Sequence, residues 1–252
     1  MNPVMSTKVT VLTAVYNGLP HLKEAIESIL CQTYTDFEYL IIDDASTDGS
    51  VNCILGYKDP RIRFILNKNN QGVSSTFNKA LSTITTPYVA RLDQDDISLP
   101  NRLKEQIDYL EKHPDISVVS SWEIVINAQG EKIRNVRGKL KNYGDFLGKI
   151  LLGLCPIYHP SLFFRKKDMD VLGGFKEGYT LAEDFEVTSN FAISHFNAAI
   201  VPGFHLLVRF HNKSQSGQDV RGQTRVMRKI HNETISMFSS SQNSECLSAL
   251  LR

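Results

Sequence analysis

Over the first hundred positions, apolar blocks of strand period alternate with apolar stripes of helical period. Residues 8–16 form a β-rich apolar run that ends at Asn17-Gly18, which predicts a first strand and a turn. Pro20 suits the first turn of a helix, and Leu22, Ile26, Ile29 and Leu30 continue with helical spacing towards Gln32. Residues 37–42 predict a second strand closed by Asp43-Asp44, and residues 45–50 are polar and rich in helix-capping side chains. A third strand is predicted over 61–66, a helix over 73–82 and a fourth strand over 88–92. Strands and helices joined by short links argue for βαβ units, a mostly parallel sheet and helices on both faces. Right-handed crossovers place the C-terminal ends of such strands on one side. Tyr16-Asn17, Asp43-Asp44 and residues 93–96 are therefore expected on one rim.

The second half is more irregular. A helix is predicted over 100–112, with Leu103, Ile107 and Leu110 on one face and His113-Pro114 as its stop. A strand at 116–121 precedes a hairpin of 123–126 with 131–136. Residues 143–154 predict a helix whose stripe of Phe146, Leu147, Ile150, Leu151 and Leu154 suits either core packing or a bilayer interface. A short strand over 161–164 and a helix over 166–172 come next, ended by Gly173-Gly174-Phe175. A further helix opens with Glu183-Asp184 and runs towards His195, and strands follow at 198–201 and 205–210. Residues 211–222 read as loop, 224–238 as a terminal helix and 239–244 as a polar tail. The implied organisation is one domain over 1–218, with a nucleotide half over 1–98 and an acceptor half over 99–218, and a helical extension over 219–252.

Composition narrows the function classes. The chain has 252 residues, 42% hydrophobic and 22% charged, enough to bury a sizeable core. A formal net charge of +1 provides no global field for nucleic acid. Basic charge is uneven, however: between Glu131 and Lys141 stand Lys132, Arg134, Arg137, Lys139 and Lys141. This run is either a solvated face or an attractor of phosphates. Cys31, Cys53, Cys155 and Cys246 show neither metal spacing nor a tight redox pair, as in a reducing cytosol. Residues 1–7 lack a signal-peptide pattern, and no apolar run is long enough to span a bilayer. The expected location is the cytoplasm, with contact to the inner face of the cell membrane left open.

The chemistry concentrates in Asp93-Gln94-Asp95-Asp96, which ends a strand. Like charges this close repel, so the cluster is either a solvated turn that caps the next helix or a site for a hard divalent cation such as Mg²⁺ or Mn²⁺. Several further pieces, in order, decide the comparison. They are Thr13-Ala14-Val15-Tyr16-Asn17-Gly18, Asp43-Asp44-Ala45-Ser46-Thr47-Asp48-Gly49-Ser50, Asn69-Asn70-Gln71-Gly72, Gly173-Gly174-Phe175, Glu183-Asp184 and Arg209-Phe210-His211. Together they resemble the inverting family 2 glycosyltransferases of the GT-A fold, a Rossmann-like α/β architecture, over residues 8–216.

The resemblance implies a nucleotide-sugar donor, UDP-sugar foremost, and a carbohydrate or lipid-linked glycan acceptor in cell-surface polysaccharide, lipopolysaccharide or glycoconjugate synthesis. It assigns Asp44 to the uracil ring, and Ala14, Tyr16 and Asn17 to the base and ribose. Asn78 is placed on the nucleotide, Asp93 on the ribose or a metal-bound water, and Asp95 and His211 on the metal. Glu183 would orient the acceptor and Asp184 would be the catalytic base. Asp96 reads as a helix cap, Arg209 as a phosphate or salt-bridge partner, and His159 as lining the acceptor side or packed in the core. One departure stands out: relatives often follow Glu-Asp with Leu-Trp, and here Val187-Thr188 follows the intervening Phe185-Glu186. The alternatives are a catalytically inactive binding domain and a nucleotidylyltransferase. The latter would carry a basic, Gly-rich loop where Tyr16-Asn17-Gly18-Leu19-Pro20 stands. A dehydrogenase would need a Gly-X-Gly-X-X-Gly after the first strand.

Overall fold

The computed structural model describes residues 7–211 and 219–240. Its first half holds strands β1 (Val9–Val15), β2 (Phe37–Asp43), β3 (Ile62–Leu66) and β4 (Tyr88–Arg91). Between them run helices α1 (Leu22–Leu30), α2 (Ser50–Leu55) and α3 (Val73–Leu81). All three pairings in this half are parallel, in the order β3-β2-β1-β4. The chain leaves β1 to one side for β2 and β3, then returns to the other side for β4. That reversal opens a crevice at the C-terminal ends of β1 and β4, where open α/β sheets bind ligands.

The second half adds β5 (Ile97–Ser98), α4 (Arg102–Lys112), β6 (Ile116–Ile126), β7 (Lys132–Val136) and α5 (Tyr143–Leu151). A 3-10 turn at His159–Ser161 follows, then β8 (Phe163–Arg165), α6 (Lys166–Leu172), α7 (Glu183–Ile193), β9 (Asn197–Arg209) and α8 (Val220–Ser240). The sheet continues from β4 through β8, β6 and β9 to β5, with β7 paired on β6. β8 runs antiparallel to both β4 and β6, whereas β6 and β9 are parallel along a long register. The parallel character read from the sequence thus belongs to the first four strands and the β6–β9 pair.

Both faces of the sheet are buried. On one, Leu12, Leu40, Phe77, Phe146, Phe164, Phe185 and Ile230 pack beneath α3, α5, α7 and α8. On the other, Val11, Ile26, Ile41, Leu103, Ile107 and Phe163 pack beneath α1 and α4. Continuous apolar strands such as β2 are what two covered faces require.

Some expected boundaries change. The segments 116–121 and 123–126 are one strand, and so are 198–201 and 205–210. Pro202-Gly203 resembles a strand end in sequence, but β9 passes through it with Gly203 at φ 132° and a register shift opposite Trp122. α8 starts at Val220, ahead of the expected 224. Residues 212–218 of the expected loop, and the tail from 241, lie outside the described residues. On α5, Phe146, Leu147 and Ile150 are core residues, which decides the stripe for those three. Leu152 and Leu154, past the helix end, are 75% and 52% exposed. Among the described residues no helix is long and apolar enough to cross a membrane.

A core assignment for α5 has a measurable outcome. Phe146→Ala should lower unfolding free energy by about 3–5 kcal/mol in urea titration. Leu152→Ala should change it by less than about 0.5 kcal/mol.

Candidate active site

The loops after β1, β2 and β4 meet on the rim and are bonded to one another. Asn17, at φ 51°, donates its N–H to Ser46 Oγ (2.8 Å) and accepts the Thr47 N–H at Oδ1 (2.8 Å). Gln94, from the acid turn, accepts the Tyr16 N–H (2.8 Å) and donates to the Tyr16 carbonyl (3.2 Å). A Cβ on Gly18 would stand 2.8 Å from Gln94 Oε1, so a side chain there would push that amide off Tyr16. The Tyr16 side chain is half exposed at the rim, and Ala14 is partly buried near the end of β1.

Asp44 is buried just past β2. Its carboxylate accepts Asn67 Nδ2 (2.7 Å), the Gln71 N–H (3.0 Å) and the Gly72 N–H (2.9 Å). A carboxylate offers about four acceptor positions, so these three donors leave roughly one for a ligand N–H. Lys79 donates to Asn67 Oδ1 (2.6 Å) and so stiffens the same loop.

In the acid turn each carboxylate has a different neighbour. Asp93 forms an ion pair with Arg91 (2.6 Å). Desolvation pushes Asp93 up to about 6 against the pull of Arg91, and Asp95 and Glu183 add to the rise. Asp95 Oδ2 lies 2.9 Å from His211 Nε2, and the His211 ring packs near His21. Asp96 is buried and accepts the Arg209 N–H (2.8 Å), and burial raises its pKa well above the carboxylate range. It therefore anchors β9 to the turn. The Arg209 side chain reaches Glu24 (2.7 Å) and the Asp95 carbonyl (3.0 Å), which makes it a salt-bridge partner and a brace. Among the described residues no three potential ligands form a ready-made metal cage. The touching pair Asp95 and His211 suits an ion that completes its shell with phosphate oxygens and water.

Glu183 and Asp184 open α7, after Leu181 at φ 83°. Burial raises both carboxyls, while Arg91 pulls each one down. Arg91 thus connects the acid turn electrostatically to the α7 pair. Asp184 Oδ1 accepts the Phe185 N–H (2.7 Å), and Oδ2 has no protein partner among the described residues. Asn78, expected on the nucleotide, uses its amide otherwise: Nδ2 donates to the Phe175 carbonyl (2.7 Å) and Oδ1 accepts the Phe175 N–H (2.8 Å). It braces the Gly173-Gly174-Phe175 turn. Gly174 stands at φ 83°, a conformation that favours glycine, and a Cβ there would also meet that amide.

Sequence reading missed the layer behind the acids. Arg91 stacks on Phe77 (4.8 Å to the ring centroid) and bonds His159 Nδ1, which puts buried His159 in the core. Arg102, fully buried on α4, donates to the Arg91 carbonyl and to Gln106 (3.0 Å), and burial lowers its pKa to about 10. Glu123 accepts from Ser161 Oγ (3.0 Å), and burial pushes it up to about 7. One signal was available: Arg91 interrupts an apolar strand, and Arg102 and Gln106 lie i, i+4 beside the apolar stripe of their helix.

A family model described as glycosyl transferase family 2 matches residues 10–172. The chain belongs to that family. The match stops short of α7, so Glu183 and Asp184 lie beyond it. EpsE of Bacillus subtilis is 34% identical over 172 residues, covering 67% of this chain and 60% of that protein. The uncharacterized glycosyltransferase MJ1057 of Methanocaldococcus jannaschii is 32% identical over 209 residues, covering 81% of this chain and 71% of that one. Among solved structures, S. aureus TarS 1–349 in complex with UDP-GlcNAc superposes with a TM-score of 0.70 at 17% identity, covering 94% of this chain and 72% of that one. The fold of this family 2 member is therefore the GT-A fold expected from its motifs.

The buried Glu123 gives a pH test in this family 2 domain. Its folded-state pKa, about 7, lies above the ordinary 4.5, so the folded protein retains a proton that the unfolded chain releases between those values. Stability should fall as pH rises through that window and level off above it. Glu123→Gln should flatten this part of the profile by roughly 1–3 kcal/mol between pH 5 and 8, measured as thermal unfolding at both pH values.

Proposed function

We propose that this chain is an inverting glycosyltransferase that moves a sugar from a UDP-sugar to a hydroxyl of a glycan or lipid-linked acceptor, assisted by Mg²⁺ or Mn²⁺. The observation that carries the reading is the electrostatic connection through Arg91 of the Asp93–Asp96 turn to Asp184 on α7. A donor held by its diphosphate at the turn would present its sugar towards a carboxylate with a free oxygen. Family membership supports the reaction class, and the UDP-GlcNAc complex of the fold neighbour supports uridine as the first base to try.

In this reading Asp44, with one acceptor position left, takes an N–H of the base. Ala14, Tyr16 and Asn17 border the base and ribose, and Asp93 faces the ribose or a metal-bound water. Asp95 and His211 would hold the cation, which when bound offsets the charge growing on the leaving diphosphate. The acceptor oxygen attacks the anomeric carbon opposite the diphosphate and its proton passes to Asp184 Oδ2. The bond from that carbon to the phosphate oxygen breaks, and its electron pair leaves with UDP. A base whose pKa is raised by burial takes that proton more readily than a solvent-exposed aspartate. Glu183 orients the acceptor. Exposed Leu152 and Leu154, beside Lys149, suit peripheral contact with the inner membrane face.

Asp184→Asn should lower kcat by about 10²–10⁴-fold while UDP affinity stays within about twofold. Asp95→Asn should abolish the extra thermal stabilisation that Mn²⁺ adds to UDP. Full turnover in Asp184→Asn, or equal UDP stabilisation with and without metal in the unsubstituted protein, would overturn the respective assignment.

A further inference from the structure

The segment after β7 carries cations that the reading above does not use. The Arg137 guanidinium is exposed and lies 5.3 Å from the Trp122 ring centroid and 5.1 Å from that of Phe204. Those two rings meet edge to face at 5.5 Å. Trp122 Nε1 donates to the Gly138 carbonyl (3.0 Å), which fixes the indole and the backbone next to Arg137. Two exposed cations, Arg137 and Lys139, have no carboxylate partner among the described residues, whereas nearby Lys149 is taken by Asp145 (3.0 Å). Contact with aromatic faces orients a guanidinium without neutralising it. Its N–H edge stays available, and that planar fork matches the oxygens of a phosphate.

The position relative to α7 gives this pair a use. Trp122 packs on the core face that also holds Phe185 of α7. A Cβ on Gly138 would stand 2.7 Å from Tyr158 Oη, so the cationic segment lies against the Tyr158 side chain. Three residues earlier, Cys155 Sγ is 4.0 Å from Thr188 Oγ1, and Thr188 donates to the Asp184 carbonyl (2.6 Å). Through Tyr158 and Cys155 the cationic segment is thus linked to the first turn of α7, the helix that Asp184 opens. Two neighbouring positive charges suit a phosphate better than a carboxylate, because the phosphate carries more charge.

We propose that Arg137, oriented by Trp122 and Phe204, forms with Lys139 a subsite for a phosphate group carried by the acceptor substrate. The proposal rests on the reading of Asp184 as the base that receives the acceptor.

Trp122 is the single tryptophan of the chain, so its fluorescence comes from the ring that contacts Arg137. The protein, saturated with UDP and Mn²⁺ to fill the donor site, is titrated with glucose 6-phosphate, glucose, glucuronate, and vesicles with or without phosphatidylglycerol. The expected result is a saturable change with glucose 6-phosphate and none with glucose. Arg137→Gln should raise the apparent Kd at least about tenfold, since it removes a charge-assisted contact, and Lys139→Gln should raise it severalfold. Unchanged thermal midpoints confirm that both exposed-site variants fold. No response to glucose 6-phosphate, an equal response to glucuronate, a response to anionic vesicles only, or an unaltered Kd in Arg137→Gln would each overturn the proposal. Failure of the base reading appears elsewhere, as full turnover in Asp184→Asn.

Discussion

Carboxyl groups crowd this site faster than the chain supplies cations to oppose them, and much of the architecture answers that imbalance. Asp93, Asp95 and Asp96 fall within four residues, Glu183 and Asp184 open α7, and Glu123 is buried behind them. Arg91 and Arg102 stand in their midst, one paired with Asp93 and the other bonded to the Arg91 carbonyl. Asp96, Glu183 and Asp184 all have raised pKa values, and in each case burial is the largest cause. Charges buried in numbers like these persist only when paired, protonated or bonded to a ligand. The surplus of acid over base is therefore met either by protons held on the buried carboxyls or by positive charge brought to the crevice.

The fold divides the response to that demand. The parallel half, β3-β2-β1-β4, brings Asp44 and the acid turn to one edge through its uniform strand direction. The mixed half provides what a parallel sheet alone lacks: β9 returns alongside β6 to deliver Arg209 and His211 to the turn, and α7 delivers the opposing acids. The antiparallel strand β8 joins the halves between β4 and β6. The preceding 3-10 turn inserts His159 and Ser161, which bond Arg91 and Glu123.

Much of this was readable because it is local. The strand–helix alternation, the acid turn and the Glu-Asp helix start are short patterns whose physics lies within a few residues. What was missed depends on residues far apart in the chain. Asn78 looks like a polar helix residue until Phe175, 97 positions later, takes both ends of its amide. Arg102 looks like an ordinary helix-start cation, and only the tertiary packing of α4 on β6 and β9 buries it. Pro202-Gly203 reads as punctuation in one dimension, yet pairing with β6 carries the strand across it. Local rules identify chemistry and element type, while long-range packing decides which polar groups are left over for a ligand.

Gln94 is the middle residue of the Asp-X-Asp turn, a place where side-chain identity looks free. It grips the backbone of Tyr16 through both atoms of its amide, and Gly18 is kept bare to admit it. The loop after β1 and the acid turn are thus tied together as one rim. A shorter side chain at position 94 would leave the two loops without that shared amide, so the spacing of the whole rim is set by a residue that carries no charge.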